Sequence, residues 1–194
     1  MKSWLECCRD PLGTIYVDET LGRDSDHGRL AVRLLVMRGG VALTAYVGVP
    51  FDAPAAGWGE ELVPLEVHGG LTFSGAGGDG TRPDGWWWYG WDYGHAFDAT
   101  WVCLDLVAQG IEAPRFPGDV EWTIEMVAPE ARAAAEQMMA LLVAGWRPSA
   151  EATAKQEERD RSLEQYRRDV AGGTASKRLE GELAKMQRLR ELNG

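Results

Sequence analysis

Cysteine is scarce in this chain: three among 194 residues, at Cys7, Cys8 and Cys103. An odd count with two adjacent members is no disulfide framework, and it predicts a reducing, cytosolic setting. Long apolar runs are missing too. The longest, Met138 to Trp146, falls far short of the ~20 residues that span a bilayer. The first ten residues carry Lys2, Glu6, Arg9 and Asp10 around no apolar centre, so no secretory signal is expected there. Cations are outnumbered, with 20 Lys and Arg against 30 Asp and Glu and a net charge of −10. That balance excludes a general nucleic-acid binder, which needs a basic face to release counterions. Between residues 51 and 110 the imbalance is extreme: nine carboxylates and one cation, Arg82. Several catalytic signatures are also absent. No Gly-Lys-Ser/Thr follows a strand, no His-Glu-x-x-His occurs, and no nucleophile elbow surrounds Ser74, so a Ser74–His95–Asp98 triad has no local support.

What remains is ordinary for a soluble globular chain, 45% hydrophobic and 26% charged, except for nine tryptophans and 24 glycines. Charge divides it. Residues 1–150 hold 10 Lys/Arg and 21 Asp/Glu, whereas 151–194 hold 10 and 9 and no tryptophan. The reading is an α+β core domain over 1–147 and a charged helical tail over 148–194.

Two Val- and Leu-rich runs, Leu30–Met37 and Val41–Val49, flank Arg38-Gly39-Gly40 and predict a β-hairpin whose glycine pair supplies positive φ. Further strands are expected at 62–74, 86–93 and 101–107, with Gly75–Gly85 a flexible connection. An Ala/Met/Leu helix over 129–144 should cover one face of an antiparallel sheet and be closed by Gly145; a start at Thr123 with a kink at Pro129 fits equally well. The tail predicts a helix over 150–170, capped by Ser149 and striped with Leu163, Tyr166 and Val170. A second follows Gly172-Gly173, over 175–191, with Leu179, Leu183, Met186 and Leu189. Such narrow stripes need a partner surface, either the domain itself or a second copy, and a homodimer through the tail is the expectation.

Two segments carry the chemistry. Read as a strand, Glu66–Ser74 puts Glu66, His68, Thr72 and Ser74 on one face and Val67, Leu71 and Phe73 on the other, with Gly70 leaving room for a ligand. Gly85–Asp98 puts aromatic rings on both faces, which marks either a recognition surface or a strand between two layers. Asp92, His95 and Asp98 then follow at three-residue spacing, His95 and Asp98 on one side of a helical turn. His68, Thr72, Ser74, Trp88, Asp92, His95 and Asp98 are therefore the candidate ligand-binding residues, expected to converge on one concave surface. His68, Asp92, His95 and Asp98 form a candidate divalent-metal set with a carboxylate to spare as base; the alternative is a structural hydrogen-bond network.

The blocks His68-Gly69-Gly70-Leu71-Thr72-Phe73-Ser74 and Trp87-Trp88-Tyr89-Gly90-Trp91-Asp92-Tyr93-Gly94-His95-Ala96-Phe97-Asp98, with Ala45-Tyr46-Val47-Gly48-Val49-Pro50 before them, resemble an uncharacterised family of small actinobacterial phage and prophage proteins. The resemblance spans residues 45–145. Tyr93 stands where the family has cysteine and Phe97 where it has glycine. The resemblance implies a phage genome and the host cytosol, and no activity. The function expected first is capture of a small ligand such as a nucleotide signal of host immunity; metal-dependent hydrolysis, or acidic mimicry that inhibits a host protein, are the alternatives.

Overall fold

The computed structural model describes residues 2–22, 30–110 and 117–171. The chain divides into two compact units, 1–147 and 148–194. The first opens with a short helix, α1 (Trp4–Cys7), started by a capping box between Ser3 and Glu6. Five strands follow: β1 (Ile15–Leu21), β2 (Val32–Arg38), β3 (Leu43–Pro50), β4 (Phe73–Ala76) and β5 (Trp86–Asp92). They form one antiparallel sheet in the order β1-β2-β3-β5-β4. Two helices complete the unit, α2 (Val102–Ala108) and α3 (Ile124–Val143). Among the described residues no helix is long and apolar enough to cross a membrane.

The hairpin forms where its alternating pattern places it, β2 against β3 with Leu35 opposite Tyr46. Its turn works differently from the expectation, because neither Gly39 nor Gly40 has a positive φ. Gly39 is instead a close approach: a Cβ there would sit 2.6 Å from the Ala42 carbonyl oxygen.

Strand alternation divides the sheet's residues between two covers. On one face Leu34, Val36, Ala45, Val47, Tyr89 and Trp91 are buried in the same cluster as Val127, Ala131, Ala134, Ala135, Met138 and Leu142 of α3. Each large side chain so buried contributes on the order of 1.5–3 kcal/mol. Helix α3 takes the earlier start, with Thr123 at its N-cap position and Pro129 inside it. It ends in a Schellman motif, in which Gly145 (φ 64°) donates to Leu142 O at 3.0 Å and Trp146 N to Leu141 O at 2.9 Å.

The opposite face holds Leu35, Met37 and Trp88, packed with Tyr46, Phe73 and Trp86. Rings lie flat here because glycines are beneath them. A Cβ on Gly48 would reach the Trp88 ring at 2.7 Å, and one on Gly90 would strike the Tyr46 ring. Loop 77–85, expected to be a flexible connection, is instead the cover of this face. Trp88 Nε1 donates to Pro83 O at 3.1 Å, and the Arg82 guanidinium lies 4.1 Å from the Phe73 ring centre and 5.1 Å from that of Tyr46. Asp79 holds the loop by accepting the Arg82 and Thr81 backbone N–H groups, each at 3.0 Å, and it ion-pairs with the Arg82 side chain. These bonds, led by the Arg82 backbone donor, pull the Asp79 carboxyl down to about 2. Both faces of the aromatic strand are thus buried.

Two further expectations are corrected. The strand placed at 62–74 survives only as β4, because Gly69 and Gly70 adopt φ 66° and 83° and turn the chain out of the extended line. The strand placed at 101–107 is helix α2. Its apolar run is short enough to suit either element, and the Leu104 and Asp105 backbone N–H groups bond back to Trp101 O. In the second unit, α4 (Ala150–Ala171) is capped by Ser149, whose Oγ accepts from Ala152 N at 3.1 Å. The side chains of Leu163, Tyr166 and Val170 and the whole 175–191 helix lie outside the described residues.

Candidate metal centre

The polar groups collect just beyond the C-terminal end of β5. Residues 95–98 form a β-turn closed by Asp98 N donating to His95 O at 3.1 Å, where a helical turn was expected. The i, i+3 relation still brings His95 and Asp98 together. Asp98 also bridges to Val120, in the segment that leads into α3.

The Asp98 carboxylate, its side chain only 3% exposed, is the centre of the cluster. Oδ1 accepts from Trp122 Nε1 at 2.7 Å. Oδ2 accepts from the His95 backbone N–H at 2.9 Å and pairs with His68 Nε2 at 2.7 Å. Burial pushes this carboxyl up; the bonds from Trp122, His68 and His95 outweigh that and leave it below the ordinary carboxylate value. Held ionised, Asp98 only accepts, so Nε2 of His68 carries the hydrogen in this arrangement.

His68 is fixed from several sides. Its ring stacks on Tyr93 (centroids 5.1 Å apart, planes 6° apart) and leans on Trp122 at 4.8 Å. Its backbone N–H donates to Glu130 Oε1 of α3 at 2.6 Å. His95 is less committed. Its Nδ1 is buried with no hydrogen-bond partner, 3.8 Å from Asp98 Oδ2 and 3.9 Å from Asp92 Oδ1. The imidazole rests on Gly69, where a Cβ would come within 2.7 Å of Nδ1 and closer still to Cε1 and Nε2. The two imidazoles are 26% and 32% exposed, so the cluster has a buried carboxylate at its base and an open side.

His68, His95 and Asp98 each offer a donor atom within 4.8 Å of the others. Two imidazoles and a carboxylate, without sulfur, are a donor set for a divalent transition metal, and three protein ligands with an open side are the composition of catalytic rather than structural sites. The unpartnered His95 nitrogen between two carboxylates fits such an ion, since a buried nitrogen without a partner is costly. Seating the ion would displace the proton on His68 Nε2 and open the 2.7 Å pair to on the order of 3 Å.

Of the residues expected to converge, His68, His95 and Asp98 do, and Asp92 flanks them. Its Oδ1 also accepts from Gly94 N at 2.9 Å. Trp88 lies on the opposite face of the sheet, fully buried. Thr72 is exposed, with its backbone N–H on Gly90 O, and Ser74 donates to Glu60 Oε2 at 2.6 Å. Trp122 and Glu130 were not anticipated; neither belongs to a local pattern that singles it out.

Comparison of the chain with protein-family models, with curated proteins and with solved structures finds no match.

Proposed function

We propose that the chain is a metal-dependent hydrolase that works through a divalent transition metal held by His68, His95 and Asp98. The observation that carries this reading is the meeting of three N and O donors around an unpartnered His95 nitrogen. A bound ion would polarise a water on the open side of the cluster, and Asp92, 3.9 Å from His95 Nδ1, is the nearby carboxylate that would take its proton. The Asp92 and Asp98 carboxylates beside His95, with Glu130 on the His68 backbone, favour a cation there. The test is metal analysis and native mass spectrometry of the zinc- or manganese-loaded full chain, followed by an assay on bis-para-nitrophenyl phosphate. One equivalent of metal is expected, lost in His95→Ala, with turnover reduced about 10²- to 10⁴-fold in Asp92→Asn at retained metal content. A chain that retains no metal overturns the reading.

A second reading, capture of a small ligand without turnover, is favoured by the commitment of His68 to Asp98 and to the Tyr93 face, which makes it a fixed hydrogen-bonding group. A nucleotide retained by the purified metal-free chain would select it.

A further inference from the structure

The residue between the two ligands on the 95–98 turn is in the wrong conformation for its type. Phe97 has φ 73°, the only positive φ outside glycine among the described residues. It is the third residue of the turn and Ala96 keeps a negative φ, so the turn is type II, whose third position favours glycine. The strain cannot relax locally. Phe97 O accepts Val120 N at 2.9 Å, Asp98 N is tied to His95 O, and the Asp98 carboxylate is held by three donors. The phenyl ring gains nothing in return from the fold, being 75% exposed. Backbone conformation and burial both argue for glycine at this position, yet the chain carries one of its most exposed aromatic rings there. Strained residues of this kind cluster at working sites. This one adjoins the ligand Asp98 and lies two residues from His95, with the exposed Val120 side chain on the segment bonded to it.

Resting on the metal reading above, we infer that Phe97 is a specificity-determining residue, the platform for a planar aromatic ring whose attached oxyanion reaches the metal at His68, His95 and Asp98. The charge pattern gives the pairing its logic. Asp92 and Asp98 beside His95 repel a free anion, and Arg82, the one Lys or Arg of residues 51–110, is spent on the far face of the sheet. The oxyanion is therefore received by the metal, and selectivity among oxyanions falls to the ring. Stacking on a protein ring is tolerant of ring type, so a nucleotide base and a simple aryl group share the chemistry.

The test is calorimetric titration of the zinc-loaded full chain and of Phe97→Gly with phenyl phosphate, adenosine monophosphate and inorganic phosphate. The wild type should prefer a ring-bearing probe over inorganic phosphate by at least about 10-fold. Phe97→Gly should erase that preference while zinc stoichiometry is kept and the unfolding temperature holds or rises. Preference for both ring probes identifies an aromatic oxyanion in general, and preference for adenosine monophosphate alone identifies a nucleotide. No preference in the wild type, a preference that survives in Phe97→Gly, or a fall in that variant's unfolding temperature overturns the inference. Failure of zinc to bind at all counts against the metal reading alone, and the same three probes on the zinc-free chain then decide the role of Phe97.

Discussion

Replacing Gly69 with alanine separates the two things that glycine does, and Gly70 supplies the control. Both residues have a positive φ, 66° and 83°, so an alanine at either loses on the order of 1–2 kcal/mol to left-handed backbone geometry. It regains about 0.4–1 kcal/mol because the unfolded chain is less free. The net is about 1 kcal/mol, a fall of roughly 2–4 °C in unfolding temperature for a unit of this size. The variants differ in what the new methyl meets. At Gly70 it meets nothing within 4 Å. At Gly69 it enters the space of the His95 imidazole, 2.7 Å or less from three ring atoms, and the ring must retreat by about 1 Å to restore ordinary contact. His95 is a third exposed, so it yields by swinging outward and leaves the cluster rather than breaking the fold. Zinc titration by calorimetry, paired with thermal unfolding, should show similar small losses of stability in both variants. Affinity should fall at least ~10-fold in Gly69→Ala and stay within about twofold of wild type in Gly70→Ala. Equal zinc affinity in the two variants would refute His95 as a ligand.

Arg82→Ala removes a guanidinium stacked on two rings and only 12% exposed, which should cost about 2 kcal/mol and lower the unfolding temperature by roughly 4–8 °C; an unchanged melt would show that loop 77–85 does not seal the second face. Burial raises the phenol ionisation of both Tyr89 and Tyr93, so their contribution to stability is complete below about pH 10 and is lost as pH rises beyond it. In an alkaline titration these two phenolates should appear together with loss of the fold, and full phenolate absorbance from an intact fold would contradict the burial.

Much of the fold was legible because it follows from period. The 30–50 hairpin, β5 and the α3 cover all come from apolar alternation or helical spacing, and those patterns survive in the structure. Pattern misled where backbone geometry overrides it. Alternation over 66–74 holds only for an extended line, which Gly69 and Gly70 break, so His68 reaches the cluster from a turn, while Ser74 bonds Glu60 instead. The run at 101–107 has no length or punctuation to separate strand from helix. Trp88 was expected at the site and lies on the other face; nothing local revealed that a glycine-rich loop would fold over it. Trp122 was illegible for a simpler reason: its contact with Asp98 spans 24 residues and depends on a bridge between Asp98 and Val120 that no propensity announces.

The strand order has one more consequence. Because β5 pairs directly with β3, everything from residue 51 to 85 is an excursion out of what would otherwise be a plain four-strand meander. That excursion brings His68 to the cluster on one side of the sheet and Arg82 to the aromatic face on the other. Sub-global units open at free energies up to that of the global fold, and a segment held at both ends by one sheet is a candidate for such a unit. A single opening of 51–85 would disarm the cluster and unseal Trp88 at once, tying the lifetime of any ion held there to the exchange of amides on the far face.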